Sequence, residues 1–406
     1  MSASPTFSFK LSAGDGTSAR AGRAETAHGG FDTPCFMAVG TQAVAKSLSP
    51  DQLRASGVKV LLANAYHLAL RPGAEAVEAL GGLQEMTRWR GPMLTDSGGF
   101  QVWSLGRGAG GGGRASEPTP FPRPSPLAPV ISEEGARFRS HLDGSEHMFT
   151  PEGVISLEER LGADMIMCLD ECLEYPAEFD RARLSAERTV RWAQRCRAAW
   201  SGRGALFGIV QGGSYRQLRV WSAERLSEMD FPGYAVGGLS VGEGPGVYRE
   251  VLEYTLPELP VDKPRYVMGV GEPEDVLTAV ELGADMFDCV LPTRNGRRGL
   301  VFTRGGKLRL RNARFRTDRS TIEPGCDCPA CAGGYSRGYV RHLLSAGEVL
   351  GGTLCSAHNL RFFTRLVEDA RREALAGSFP GWKRTLLEDY GAVVPAAGRS
   401  RGTAGT

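Results

Sequence analysis

Eight short apolar segments, spread over the first three quarters of the chain, constrain its fold more than any other feature. They cover residues 35–39, 58–64, 92–96, 164–170, 206–211, 234–239, 265–270 and 285–290, each closing on or beside a polar residue or a glycine. They are apolar at consecutive rather than alternate positions. Each must therefore be covered on both faces, as strands of a parallel sheet are. Helix-like stretches lie between them at 49–56, 151–161, 177–200, 215–229, 246–252 and 272–282. Pro151-Glu152 and Pro273-Glu274 look like first turns, with proline at N1 and an acid favoured by the helix dipole. Eight strands alternating with helices predict an α/β protein built on a (β/α)8 TIM barrel; a doubly wound sheet is the other solution that the alternation allows. A barrel collects its functional groups at the C-terminal strand ends, which here carry Asn64, Asp96, Asp170, Gln211, Gly238, Gly269 and Asp288. Three carboxylates at one mouth repel one another unless they are paired or used, so a site is expected there.

A barrel core over 1–295 leaves three stretches of the 406 residues outside the alternation. Residues 106–130, glycine-rich and then proline-rich, read as a flexible loop. Their Gly-x-Gly spacing makes no dinucleotide site, because no helix can follow among the prolines. Leu300 and Phe302, Gly305-Gly306, then Leu308 and Leu310 alternate about a glycine turn and predict a β-hairpin opening a second region, 296–390. The small, polar residues 391–406 are expected to be a disordered tail. No apolar window is long enough for a membrane helix, and residues 1–10 lack a basic stretch followed by an apolar one, so a cytoplasmic protein is expected.

The net charge of +2 announces no polyanion partner, but its distribution is uneven. Arg294, Arg297, Arg298, Arg304, Lys307, Arg309, Arg311, Arg314, Arg316 and Arg319 face a single acid, Asp318, and form either a phosphate-binding surface or a solvated face. Most cysteines, such as Cys35, Cys168 and Cys289, sit in apolar runs, as in a reducing compartment. Cys326-x-Cys328-x-x-Cys331 differs, offering three soft ligands on one tight loop suited to zinc. His342 and His358 are both available as the fourth. Three thiolates and an imidazole fill a tetrahedron, so the site is expected to be structural.

Several motifs occur in a fixed order. They are Thr95-Asp96-Ser97-Gly98-Gly99-Phe100-Gln101, Asp170-Glu171-Cys172, Gly208-Ile209-Val210-Gln211-Gly212-Gly213, Gly237-Gly238-Leu239-Ser240-Val241-Gly242-Glu243 and Asp288-Cys289-Val290-Leu291-Pro292-Thr293-Arg294-Asn295. With the cysteine loop and His358-Asn359, this ordered set resembles the bacterial-type tRNA-guanine transglycosylases, or queuine tRNA-ribosyltransferases, from about residue 7 to about 390. The resemblance implies a (β/α)8 barrel with a zinc-binding subdomain near the C-terminus, one structural Zn2+ per chain and a homodimer. The implied reaction exchanges guanine at the anticodon wobble position of tRNA for 7-aminomethyl-7-deazaguanine, a queuosine precursor. Asp288 corresponds to the nucleophile and Asp96 to the general acid and base. Ser97, Asp170, Gln211 and Gly238 correspond to residues that read the base, with Phe100 and Met268 stacking on it. Gly98, Gly99, Cys172 and Leu239 belong to the same pocket. Gly269, Val270, Gly271, Glu272, Pro273, Glu274 and Asp275 correspond to one RNA-contacting segment; Thr293, Arg294, Asn295, Gly296 and Arg297 correspond to the other. The zinc histidine corresponds to His358. The 106–130 stretch is longer than that pattern shows, and His358 stands one residue further from Cys331.

These residue types suit the implied chemistry. An N-glycosidic bond breaks through an oxocarbenium-like sugar, for which a nucleophilic carboxylate and a proton-carrying carboxyl divide the labour. Guanine presents donors at N1 and N2 beside an acceptor at O6, so a carboxylate at Asp170 and donors from Gln211 and Gly238 would match its edge. A glycoside hydrolase would share the paired acids without needing a basic hairpin. A non-catalytic RNA-binding subunit would not need both Asp96 and Asp288. Cys289 is expected to face away from the mouth, and His67 to be structural or dimer-related.

Overall fold

The computed structural model describes residues 7–12, 18–101 and 129–392. The expected loop over 106–130 lies almost wholly outside them, as does the tail beyond the helix Phe379–Ala392.

All eight apolar segments become strands of one closed parallel barrel. They are β1 (Cys35–Val39), β2 (Leu61–Asn64), β3 (Met93–Asp96), β4 (Met165–Met167), β5 (Ala205–Val210), β6 (Gly233–Val236), β7 (Arg265–Val267) and β8 (Met286–Cys289). Pairing of β3 with β4 and of β8 with β1 closes the ring and excludes the doubly wound alternative. Helices follow the expected order, with sharp ends where capping residues occur. Thr150 caps Pro151–Leu161 through the Gly153 N–H at 3.1 Å, and Gly162 ends that helix at φ 81°.

Alternation within the strands sorts the side chains into two cores. Met37, Leu62, Leu94, Met167, Phe207, Ile209, Tyr266 and Met286 fill the barrel interior. Phe36, Ala38, Leu61, Met93, Ile166 and Phe287 pack outward against the helices. On β8 the same alternation sends Asp288 inward and Cys289 outward, where the half-buried thiol packs on the helical layer.

Two antiparallel sheets were not foreseen. Phe7–Leu11, Gly22–Thr26 and Gly29–Thr33 form one, whose Phe7, Phe9, Ala24 and Phe31 join the interior core. Val130–Ile131, Ala136–Arg139 and Glu146–Phe149 form the other. The predicted hairpin is present as Leu300–Thr303 against Gly306–Arg309. After the cysteine loop, a 28-residue helix, Val349–Ala376, returns to the barrel. Phe363 on it stacks on Phe36 of β1 with ring centroids 4.7 Å apart, and Gly296 permits close approach to Ser356.

One ion-pair cluster locks the strand start opposite the mouth. Fully buried Asp285 accepts from the Arg20 guanidinium and from the Arg265 N–H at 2.7 Å, while Arg20 also donates to Val261 O and Lys263 O at 2.7 and 2.6 Å. Asp285→Ala should destabilise the fold by about 3–5 kcal/mol in denaturant unfolding, because it strands buried Arg20 without its counter-charge. An unchanged unfolding midpoint would show that the pair contributes nothing.

Candidate active site

The β2, β3, β5, β7 and β8 ends converge as expected, and their hydrogen bonds define the site. The Asp288 carboxylate accepts from Tyr266 Oη at 2.6 Å and from the Gly269 N–H at 2.8 Å. Both bonds favour its ionised form against the burial that pushes its pKa up. Burial likewise raises the Tyr266 hydroxyl, so that it remains a donor. Asp96 accepts from Asn64 Nδ2 at 2.7 Å, and that amide also donates to Gln101 Oε1 at 2.8 Å. Desolvation, then repulsion from Asp170 and Asp288, pushes the Asp96 carboxyl up to about 7. Asp96 thus stands poised between acid and base near neutral pH.

Asp170 is buried and accepts from Gln211 Nε2 at 2.7 Å; burial pushes it up to about 6. Backbone comes unusually close around it. A Cβ on Gly99 would lie 2.6 Å from Asp170 Oδ1, and one on Gly238 (φ 68°) would lie 2.5 Å from Gln211 Oε1. Gly98 turns at φ 91° against Tyr66. Ser97 Oγ is buried without a hydrogen-bond partner among the described residues, so it is free to serve a ligand. Gln211, Gly238, Leu239, Val241 and Glu243 line one pocket, where the Glu243 carboxylate holds the N–H groups of Ser240 and Val241. Gly99, Asp170 and Cys172 line a second pocket. Phe100 is 42% exposed at the mouth, while Met268 is half-buried against the barrel interior.

Other positions lie outside this hydrogen-bond network. Glu171, adjacent to Asp170, turns away into ion pairs with Arg181 and Arg188. His67 is half-buried between Tyr66 and His141, and its imidazole is lowered to about 4 by burial, keeping it neutral. Within the two segments matched to RNA contact, Val270, Gly271, Pro273, Thr293 and Gly296 are buried, whereas Gly269, Glu274 and Arg294 are exposed. Glu272 pairs with Lys307 of the hairpin at 2.6 Å, which ties the hairpin to the mouth. Asn295, Arg297 and Asp275 are half-buried. Arg294, Arg298, Arg309, Arg314, Arg316 and Arg319 are exposed and have no acidic partner among the described residues.

Two contributors escaped the sequence reading. Tyr266 lies inside β7, in an apolar run where only barrel alternation reveals that it faces Asp288. Arg219 lies fully buried in the helix Arg216–Ser227 and bonds the Val210, Gly213 and Gly237 carbonyls at 2.8–2.9 Å. A leucine-like environment holding an arginine leaves no periodic signal.

The cysteine cluster chooses between the two histidines. Cys326, Cys328, Cys331 and His358 are buried, with ligand atoms all within 4.8 Å of one another. His358 Nδ1 stands 3.5–3.7 Å from the three sulfurs. Its Nε2 lies 2.7 Å from Phe302 O, which favours the tautomer that leaves Nδ1 unprotonated toward the three sulfurs. His342 is exposed and stacks near Tyr339. The group could hold one metal ion, and three thiols with an imidazole suit zinc chemistry.

A parallel barrel whose mouth acids have no cation partner among the described residues, with a closed Cys3His cluster beside its last long helix that could hold one metal ion, defines a barrel enzyme with a candidate metal site in its C-terminal part. A profile of the family described as queuine tRNA-ribosyltransferase matches residues 15–392. A queuine tRNA-ribosyltransferase of Ruminiclostridium cellulolyticum is 48% identical over 377 residues, covering 92% of this chain and 95% of that protein. One of Halothermothrix orenii is 50% identical over 375 residues, covering 92% and 95%, and one of Symbiobacterium thermophilum is 49% identical over 376 residues, covering 92% and 89%. The chain belongs to the queuine tRNA-ribosyltransferase family.

Purified protein should carry about one metal ion per chain by elemental analysis. His358→Ala should lose it, whereas His342→Ala should keep it; the reverse pattern would reassign the fourth ligand.

Proposed function

We propose that this pentosyltransferase exchanges guanine at the tRNA wobble position for a 7-deazaguanine base, 7-aminomethyl-7-deazaguanine, through a ribosyl–Asp288 ester. The observation that carries the reading is the contrast between two acids. Asp288 is held ready for ionisation by Tyr266 and Gly269, and Asp96 is held near neutral pKa with no cation beside it among the described residues. Asp288 attacks ribose C1′ as the C1′–N9 bond breaks, its electron pair leaving with guanine. Protonated Asp96 supplies the proton that neutralises the departing base. In the second half, Asp96 takes the N9 proton of the incoming base, whose nitrogen displaces the ester. Two inversions return the original configuration.

Asp170 accepts from guanine N1–H and N2–H, and the Gln211 amide and Gly238 N–H serve O6 or N7; adenine would set an acceptor against Asp170. Ser97 Oγ supplies a further contact, and Phe100 and Met268 sandwich the base once it has left its stack. Gly98, Gly99, Cys172 and Leu239 complete the pocket walls. Val241 and Glu243 match the bacterial-type pattern, which supports the aminomethyl base. The segments 269–275 and 293–297, with the unpaired arginines after them, take the tRNA backbone. Zn2+ on Cys326, Cys328, Cys331 and His358 serves as a staple with no role in bond breaking. The reading divides the chain into a barrel core to residue 295 and a zinc-binding subdomain over 296–390, and it places the protein in the cytoplasm as a homodimer.

Pure protein should incorporate radiolabelled guanine into unmodified tRNA, and Asp288→Asn and Asp96→Ala should each abolish incorporation. Activity in either variant would remove the role assigned to that residue. Formation of the ribosyl–enzyme needs Asp96 protonated, so its single-turnover rate should fall as pH rises through about 7. A rate flat from pH 6 to 9 would contradict this. Affinity for tRNA should fall steeply with salt as arginine contacts release counterions; a flat response would exclude the basic face as the RNA surface.

A further inference from the structure

Three carbonyl oxygens behind the base pocket converge on a single guanidinium. Arg219 Nη1 donates to Gly237 O at 2.8 Å and Val210 O at 2.9 Å, and its Nε donates to Gly213 O at 2.8 Å. The side chain is wholly buried, and no carboxylate pairs with it among the described residues. Burial lowers its pKa only to about 10, so it stays cationic at neutral pH. Nη2 has no hydrogen-bond partner among the described residues and lies 3.5 Å from where a Cβ on Gly238 would stand, which puts the guanidinium directly behind that residue. A buried cation without a counter-charge is expensive, and an apolar side chain would fill the same space at lower cost.

The Gly237–Gly238 peptide gives that cation an outlet. The peptide is not among the cis bonds, so its N–H points opposite to the carbonyl that Arg219 holds. The Gly238 N–H makes no hydrogen bond among the described residues. We propose that Arg219 is a positioning residue acting through this peptide, orienting and polarising it so that the Gly238 N–H becomes a fixed, strengthened donor to O6 of the bound guanine. Linked hydrogen bonds reinforce one another in a low-dielectric site. Negative charge that develops on the purine as C1′–N9 breaks would meet this donor already aligned. The inference rests on the base-exchange reading and names the source of its O6 recognition.

The test compares incorporation of labelled guanine with that of labelled 6-thioguanine, which keeps the N1–H and N2–H donors but replaces O6 with a weaker acceptor. Arg219→Met should lower kcat/KM about tenfold for guanine and by less than about threefold for 6-thioguanine. Arg219→Lys, which retains a charge but cannot bond three carbonyls, should fall between. Equal losses for the two bases would mean that Arg219 merely braces the loops, and undiminished guanine incorporation would mean that it does not matter; either overturns the proposal. If Arg219→Met fails to fold by circular dichroism, the same ratio in Arg219→Lys decides it, a selective loss for guanine supporting the proposal and an equal loss sinking it. Wild-type protein that incorporates neither base would instead overturn the base-exchange reading itself, and the Arg219 proposal with it.

Discussion

Closure of the parallel ladder is the constraint on which the rest depends. Once β3 pairs with β4 and β8 with β1, every strand end points to one mouth and alternate residues of each strand face one interior. Asp96 and Asp288 then cannot avoid each other, and Asp170 joins them from the segment after β4. Their mutual repulsion adds to desolvation in lifting Asp96 to about 7. The apolar packing of the two cores must offset that cost, because no cation pairs with these acids among the described residues. Neutral donors stand there instead: the Asn64 amide on Asp96, the Gln211 amide on Asp170, and the Tyr266 hydroxyl and Gly269 N–H on Asp288. A hydrogen bond from a neutral group orients a carboxylate without neutralising it, which leaves the proton free to move.

The part of the chain that carries the Cys3His cluster is joined to this mouth by short covalent and hydrogen-bonded paths. His358 and Asn359 are consecutive on the long helix. While the first contributes to the Cys3His cluster, the second donates to Pro292 O at 2.9 Å and Leu300 O at 3.0 Å and accepts from the Phe302 N–H at 3.0 Å. Pro292 follows Asp288 by four residues. The same turn of helix therefore orders both the imidazole of the cluster and the chain leaving the strand that carries Asp288. Lys307 on the hairpin reaches Glu272 on the other side of the mouth. The exposed arginines are thus held on a frame continuous with the barrel.

Much of this was legible in the residues, and what was not has identifiable causes. Two-faced apolar runs gave all eight barrel strands, because a strand buried on both sides has few other compositions available. The cysteine spacing located the Cys3His cluster but not its histidine; that choice depends on a helix returning across about thirty residues, and local spacing cannot encode it. The N-terminal sheet escaped notice although Phe7 and Phe9 alternate with polar neighbours, since five-residue strands carry too few positions for the period to stand out. Tyr266 and Arg219 were missed for a different reason. One looks like barrel filler and the other like a surface helix residue, and only the closed ring turns the first onto Asp288 and the second onto three carbonyls.

The acids of this chain show why residue type alone could not separate function from structure. Asp170 and Glu171 are neighbours in sequence, yet Glu171 is claimed by two arginines while Asp170 accepts from the Gln211 amide and has no cation partner among the described residues. Asp285 and Asp288 share one strand region, yet Asp285 lies at the closed end under Arg20 and Asp288 at the open end under Tyr266. Glu158 adds a third case. It is fully buried, accepts from Thr95 Oγ1 and the Met167 N–H, has no cation beside it among the described residues, and is raised well above the ordinary range by burial. It lies on the outer, helical side of the barrel, away from the mouth. Lack of a counter-charge is therefore necessary but insufficient to mark a working carboxylate; it must also face the mouth, and that second condition is set by strand register, which moves a side chain from one face to the other with a single-residue shift.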